Sequence, residues 1–317
     1  MVWFIIIGVL LFLFAGFFAL LLYCFDRCFY VKEKKILKED EYEIAEGECY
    51  EPFREYMIAR MKETRKLPHE DYSIKSFDNL TLWGKFYDLC EDGAIELMFH
   101  GYRGTSERDL CGAVQRCRRL GHSAFIVDQR ASTRSDGNVI SFGINESKDC
   151  LRWVDFVSQK FPERKIIITG ISMGAATVLC AAANPLCENV VGVIADCSYS
   201  SAKEIIIKVI NEDMGISGKF FYPFVKLSAR LFGRFDLEET SPIEAVKKFT
   251  LPVLFIHGED DNFVPCDMSR RLYDACASDK LLFTVKGADH GLSYLIDKEG
   301  YIEKFREFER KYINKTE

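Results

Sequence analysis

Two patterns of hydrophobic residues divide the chain. The first 25 residues carry no charged side chain and are dense in Ile, Leu, Phe and Val. From residue 94 onwards, short apolar runs alternate with longer amphipathic stretches. Such alternation predicts a mostly parallel sheet with helices on both faces. The predicted strands cover residues 94–99, 123–127, 165–169, 190–195, 252–256 and 281–285, and a hairpin over 71–77 and 80–87 opens the sheet.

The N-terminal apolar run is long enough to cross a membrane. As a helix, residues 2–25 would span roughly 36 Å, more than the ~30 Å hydrocarbon layer. A cleaved signal peptide fits poorly, because the run is too long and lacks both a basic n-region and a small-x-small site. We therefore expect an uncleaved, single-pass anchor in the cell membrane. The basic residues that follow predict that the domain after the anchor lies in the cytoplasm; they are Arg27, Lys32, Lys34, Lys35 and Lys38.

Length and composition indicate one domain after this anchor. We expect residues 1–25 to form the anchor, residues 26–50 a charged linker, and residues 51–317 a single α/β domain. The net charge of −6 gives no indication of nucleic-acid binding. The twelve cysteines show no zinc-site spacing, and so many unpatterned thiols indicate a reducing compartment.

One segment, residues 202–235, interrupts the alternation and is predicted to form a small helical cap over the active site. Its second half places Phe220, Phe221 and Phe224 at helical spacing. This apolar face predicts either an acyl-binding wall or ordinary packing onto the domain. A basic stripe on another face would either touch anionic lipid headgroups or be a solvated surface; it comprises Lys226, Arg230 and Arg234.

The sequence Gly170-Ile171-Ser172-Met173-Gly174 directly follows the predicted strand 165–169 and precedes a helix-prone run. Strand, tight turn and helix form the context in which Gly-x-Ser-x-Gly is a nucleophile elbow. The turn strains the serine backbone, so only small residues fit two positions before and after it. A dinucleotide-binding fingerprint fits less well, because its second glycine would fall at position 172. Ser172 is therefore the candidate nucleophile.

A serine nucleophile needs a base and an acid, which follow it in the order acid, then histidine, in this architecture. His290 is the downstream histidine that leaves room for an acid before it. The acid lies in the loop that begins at His257, where Asp261, Asp260 and Glu259 compete. Asp261 is favoured because His-Gly-x-x-Asp-x-x-Val-Pro resembles the acid loop of α/β-hydrolases. Asp260 is the second choice, Glu259 the third, and His257 is expected to support the loop.

From about residue 70 to 314 the chain resembles the α/β-hydrolase superfamily, in particular its serine aminopeptidase-like and esterase-like group. The markers occur in order as His100-Gly101-Tyr102-Arg103-Gly104, Asp128-Gln129-Arg130, the elbow, Ser241-Pro242-Ile243, the acid loop and Gly287-Ala288-Asp289-His290. The resemblance implies an α/β-hydrolase fold and an oxyanion hole made by the backbone amides of Met173 and Tyr102. One departure is that Ala131 and Thr133 replace two glycines that relatives often carry after Asp128.

These features together predict a membrane-anchored serine hydrolase that cleaves acyl esters or thioesters. Ser172 would attack the carbonyl, His290 would act as general base and Asp261 would orient the imidazole. No metal or organic cofactor is expected; the expected partners are a small acyl substrate and the membrane, not nucleic acid. A serine peptidase of the same superfamily and a non-catalytic membrane scaffold remain alternatives.

Overall fold

An eight-stranded sheet forms the centre of the computed structural model, which describes residues 1–314 except for the side chain of Asp213. The strand order is β1-β2-β4-β3-β5-β6-β7-β8. The strands are β1 (Glu70–Lys75), β2 (Thr81–Tyr87), β3 (Ile95–Phe99), β4 (Ser123–Asp128), β5 (Ile166–Ile171), β6 (Val190–Asp196), β7 (Val253–Gly258) and β8 (Lys280–Val285). Strand β2 pairs antiparallel with β1 and β4, and the remaining neighbours pair parallel. The predicted mostly parallel sheet is confirmed.

Helices cover both faces of this sheet. The α-helices in residues 1–314 are α1 (Val2–Cys28), α2 (Arg54–Arg65), α3 (Ser106–Leu120), α4 (Ile144–Lys160), α5 (Met173–Ala181), α6 (Ala202–Asp213), α7 (Gly218–Ser228), α8 (Pro242–Ala245), α9 (Cys266–Ala275), α10 (Ser293–Ile296) and α11 (Lys298–Phe308). Alternate residues of a strand point to opposite faces, so Leu97 packs in the cluster that contains Trp153 of α4, whereas Met98 packs against Val114 of α3. The sheet and its two helical layers give the α/β-hydrolase architecture.

Strand register brings the chemical motifs to one edge of the sheet. Strand β3 ends opposite the elbow, because Phe99 pairs with Gly170. Strands β7 and β8 end together, since Gly258 pairs with Val285. Parallel neighbours end on the same side, and ligands of open α/β sheets bind outside the carboxyl ends of the strands. The elbow and the two loops that follow β7 and β8 therefore meet at this edge.

Helix α1 is the one helix in residues 1–314 that is long and apolar enough to cross a membrane. It has 27 residues and a mean hydropathy of 3.0 over its most apolar window. Side chains 1–19 are exposed, whereas Leu21 and Cys24 are buried against the domain. The helix therefore has a free apolar length followed by a docked C-terminal end.

The segment expected to be a charged linker, residues 26–50, instead packs on the domain from its start. Phe29 is fully buried. Its carbonyl accepts a 2.9 Å bond from the Ile140 amide, and the Val31 amide donates a 2.8 Å bond to the Asn138 carbonyl. The sequence pattern resembles a linker because charged residues are numerous in this stretch. Aromatic residues among them fix the stretch to the domain.

The predicted cap segment is helical, and its two helices have different neighbours. Helix α6 contributes Ile205 and Val209 to an apolar cluster that also contains Met173 of the elbow. Helix α7 instead packs with the end of α1, and the ring of its Phe224 lies 6.0 Å from that of Phe17. Helix α6 therefore stands between the elbow and α7.

Candidate active site

The turn at Ser172 has the strained geometry that the Gly-x-Ser-x-Gly pattern predicts. Ser172 has φ 56° and ψ −118°, a conformation that L-residues rarely adopt. A Cβ at Gly170 would lie 2.1 Å from the Gly174 carbonyl oxygen, and one at Gly174 would lie 2.0 Å from the Phe99 oxygen. Because any larger side chain would collide with backbone at both positions, glycine is required on each side of the serine.

Three side chains form a hydrogen-bonded chain at the elbow. The Ser172 hydroxyl lies 2.8 Å from His290 Nε2, and His290 Nδ1 lies 2.7 Å from Asp261 Oδ2. An ionised carboxylate only accepts hydrogen bonds, so Nδ1 carries the proton and Nε2 is free to accept the serine proton. The structure thus brings together the three residues expected to be nucleophile, base and acid, in the arrangement that activates a serine.

Asp261 is held as a buried anion. Its Oδ1 accepts hydrogen bonds from the amides of Phe263 (3.0 Å) and Val264 (2.7 Å), while Oδ2 faces His290 and His257. Burial would raise the pKa of Asp261, but the hydrogen bonds from both histidines outweigh it and lower the pKa to about 2. The neighbouring Asp260, the second choice for the acid, has an exposed side chain. Asp261 alone of the two is built into the site.

His257 supports the acid loop, as expected. Its Nε2 lies 2.8 Å from the Val264 carbonyl oxygen and 3.1 Å from Asp261 Oδ2, both of which only accept, so this nitrogen is the donor. Its Nδ1 then accepts from the Ser269 hydroxyl at 2.6 Å. The ring is fully buried and contacts the same carboxylate oxygen, Oδ2, as His290 does.

The histidine loop is fixed by two further residues. Asp289 Oδ1 accepts bonds from the amides of Asn262 (3.0 Å) and His290 (2.7 Å), which ties the acid loop to the histidine loop. Tyr50 donates its hydroxyl proton to the His290 carbonyl oxygen at 3.0 Å. Sequence reasoning missed Tyr50, because it lies 240 positions before His290 and in no motif.

The loop after β3 lies beside Ser172, where the second oxyanion donor is expected. A Cβ at Gly101 would lie 3.5 Å from that of Ser172. Asp109 Oδ2 holds the loop by accepting from the Gly101 amide at 3.0 Å. Within residues 1–314 the Tyr102 amide has no protein acceptor, and Met173 is the first residue of α5, where amides lack intrahelical partners. Both amides expected to form the oxyanion hole are therefore available.

The loop after β4 keeps its special backbone without the two glycines. Ala131 has φ 60° and Thr133 has φ 41°, both in the left-handed region that favours glycine. The intervening Ser132 donates its hydroxyl proton to the Gly104 carbonyl oxygen at 2.9 Å. This bond ties the loop after β4 to the loop that carries Tyr102.

Comparisons with known proteins agree with this architecture. Residues 157–290, which include Ser172, Asp261 and His290, match the family model "Serine hydrolase (FSH1)". That match covers less than half of the chain. Among curated proteins, the chain is 30% identical to Bacillus subtilis YqkD over 190 residues, which are 60% of its own length and 62% of that protein.

Two further proteins resemble the chain in sequence or in fold. The Saccharomyces cerevisiae membrane protein YNL320W is 25% identical over 194 residues, again 60% of this chain and 62% of that one. The chain therefore spans about 62% of the length of both curated relatives. The esterase Pf2001 of Pyrococcus furiosus has a TM-score of 0.65 at 17% identity, covering 90% of this chain and 99% of the esterase. At that identity the likeness concerns the fold.

The aromatic residues expected to bind substrate are exposed or pack with α1, not with the elbow at Ser172. Phe220 is 64% exposed, and Phe221 and Phe224 pack in the cluster that contains Cys24 and Phe25 of α1. The expectation of an acyl-binding wall at these residues is therefore corrected. Helical periodicity identifies an apolar face, but it does not identify the element that the face contacts.

A buried thiol lies beside the general-base candidate. Cys197 Sγ is 4.0 Å from His290 Nε2, and together with Asp261 these residues offer ligand atoms within 4.8 Å of one another. Both ring nitrogens of His290 already bond Ser172 and Asp261, so the group fits a triad better than a metal site. Burial raises the pKa of the Cys197 thiol well above its usual value, so it stays protonated at neutral pH.

Proposed function

We propose that this protein is a membrane-anchored serine hydrolase that cleaves acyl esters or thioesters through an acyl-enzyme intermediate. The observation that carries the proposal is the continuous chain Ser172–His290–Asp261, with bonds of 2.8 and 2.7 Å. This chain lies on a strained elbow in a hydrolase fold. A non-catalytic scaffold would not need a strained serine backbone, a buried carboxylate anion and a correctly oriented imidazole at one point.

Each residue has one part in the proposed reaction. Ser172 attacks the acyl carbonyl while His290 Nε2 takes its proton, and the Asp261 carboxylate stabilises the imidazolium that forms. The amides of Met173 and Tyr102 donate to the oxyanion of the tetrahedral intermediate. His290 then protonates the leaving group and activates a water molecule, which releases the acid from Ser172.

The acyl group would be received by α6 rather than by α7. Ile205, Val209, Val264 and Met268 belong to the apolar cluster that contains Met173, the residue after the nucleophile. Apolar side chains at this position favour hydrocarbon over the charged terminus of a peptide. Each buried methylene contributes about 0.8 kcal/mol, so each added carbon should raise kcat/KM about fourfold until the cluster is filled.

A substrate series tests this proposal. We expect kcat/KM to rise from p-nitrophenyl acetate to the hexanoate, and to exceed that for aminoacyl p-nitroanilides. Val209→Phe should flatten the rise by filling the cluster. Ile207→Phe is the matched control, because Ile207 lies on the same helix but packs in the cluster with α7. Faster cleavage of the anilides, or no gain with acyl length, would favour a serine peptidase instead.

The membrane location rests on α1 and on charge. We propose that α1 crosses the cell membrane and that the catalytic domain faces the cytoplasm, where the twelve free cysteines would stay reduced. The relative YNL320W is named a membrane protein. Protease added to intact cells should leave the domain uncut, and protease added to permeabilised cells should degrade it. Degradation in intact cells would reverse the orientation.

A further inference from the structure

An exposed aromatic surface covers the outer side of the cap. We define the cap patch as Phe220 and Phe224 of α7 with Leu231 and Phe232 of the turn that follows. Phe220 is 64% and Leu231 is 55% exposed. The ring centroids of Phe220 and Phe224 lie 5.9 Å apart, so the two side chains form one continuous apolar surface. Large exposed apolar patches on soluble domains mark interaction surfaces.

This patch continues directly onto helix α1. Phe17 packs edge-on against Phe224, with centroids 6.0 Å apart, and Phe18 packs edge-on against Phe232 at 5.6 Å. Nearer the C-terminal end of the helix, the ring centroid of Phe25 also lies 5.6 Å from that of Phe232. Whatever solvent surrounds the free length of α1 therefore also meets the cap patch at its border.

The positions along α1 give the depth of this border. Trp3 and Tyr23 are exposed and lie 20 residues apart, which is about 30 Å of helix and matches the hydrocarbon thickness. Trp and Tyr favour the two membrane interfaces. Phe17 and Phe18 are five to six residues inside Tyr23, or about 8 Å below that interface. Interfacial helices bury their apolar faces by about 5–10 Å, so the cap patch lies at the depth expected of one.

Electrostatic attraction to headgroups does not explain this surface. Lys226 pairs with Asp236 and Glu238, and Arg230 pairs with Asp236. Two residues of the basic stripe are thus neutralised within the protein. Arg234, the third residue of the stripe, is exposed, but the four residues of the cap patch are all apolar, so the partner expected for the patch is acyl chain.

We propose that the cap patch is inserted into the bilayer beside α1, with lipid acyl chains as its occupant. The inference rests on the proposed function only in that α1 spans the membrane. Helix α6 packs on α7 through Ile206 and Ile210, and it contributes Ile205 and Val209 to the apolar cluster that contains Met173. One helix therefore separates the bilayer from that cluster, so the site lies at the membrane surface, where lipid-borne acyl groups are concentrated.

Fluorescence quenching by lipid tests the insertion on the full-length protein. In a Trp3→Phe background, single variants Phe220→Trp and Leu231→Trp are reconstituted into vesicles whose lipids carry bromine at acyl carbons 6 and 7. The matched control is Ile296→Trp, since Ile296 is 42% exposed on α10, outside the patch. We expect at least half of the added emission to be quenched for the two patch variants and less than one tenth for the control.

The outcome is independent of catalysis. Adding Ser172→Ala to each variant should leave quenching unchanged, so an inactive enzyme would not count against the insertion. Using two patch positions guards against one variant that fails to fold. Equal quenching of the patch variants and the Ile296→Trp control would overturn the proposal, and so would quenching limited to lipids brominated near the bilayer centre.

Discussion

The most informative single substitution is Asp261→Asn, because the bonds around this carboxylate determine the consequence. Oδ1 accepts from two backbone amides, so an asparagine would keep its oxygen there and turn its NH₂ group toward His290 and His257. His257 cannot accept a hydrogen bond from this NH₂ group, because its Nε2 is held as a donor by the Val264 carbonyl oxygen. His290 would then present Nδ1 as an acceptor and carry its proton on Nε2, pointing at Ser172.

That tautomer cannot accept the serine proton. In serine hydrolases the corresponding change lowers kcat by about 10⁴, which is about 5.5 kcal/mol of transition-state stabilisation at 1.36 kcal/mol per decade. We expect a loss of this size in kcat for p-nitrophenyl butyrate at pH 7.5. KM should change by less than about threefold, because the substitution leaves the apolar cluster around Met173 unchanged.

The neighbouring acid supplies the control. Asp260→Asn removes the same charge from the adjacent residue. Because the Asp260 side chain is exposed, kcat should stay within about twofold of wild type. Circular dichroism and thermal unfolding should show both variants folded. A crippled Asp260→Asn enzyme, or an Asp261→Asn enzyme within tenfold of wild type, would refute the reasoning and the choice of acid.

Three further outcomes concern stability. Burial alone would lower the pKa of His122, but hydrogen bonds with Glu309 and Glu96 raise it to about 9; this group therefore stabilises the fold fully below about pH 6.5 and loses up to roughly 3 kcal/mol by pH 9. His122→Gln should flatten the unfolding free energy over that range, and an unchanged slope would contradict the assignment. Thr133→Gly should relieve the left-handed strain and raise the melting temperature by about 2 °C, whereas a fall would show that φ there is not strained. Deleting residues 1–19 should preserve activity on short esters in detergent, whereas deleting 1–30 removes the buried Phe29 and should abolish folding; equal stability of both would contradict the docked segment.

Local patterns were sufficient to predict the elbow, the strand alternation and the histidine. The reason is steric in the first case: Gly170 and Gly174 are demanded by backbone atoms within about 2 Å of where a Cβ would lie, so the motif directly reflects its own geometry. The left-handed φ at Ala131 and Thr133 shows the limit of the same logic. A required conformation can persist when surrounding contacts enforce it, so a missing glycine did not mean an altered loop.

Contacts between distant segments could not be predicted from the chain. Tyr50 reaches His290 across 240 positions, and Phe29 is buried inside a stretch whose composition resembles a linker. The periodicity predicts the aromatic face of α7, but nothing in the sequence indicates that this face packs against α1. Tertiary packing decides which apolar face meets which element, and hydrophobic periodicity carries no information about that choice.

The central claim is that Ser172 is a covalent nucleophile activated by His290. Incubating the full-length protein in detergent with a fluorophosphonate probe and mapping the adduct by mass spectrometry tests this directly. We expect one adduct, on the peptide that contains Ser172, that is lost in Ser172→Ala and forms at least about a thousandfold more slowly in His290→Ala. Labelling that persists in Ser172→Ala, or an adduct on another residue, would contradict it.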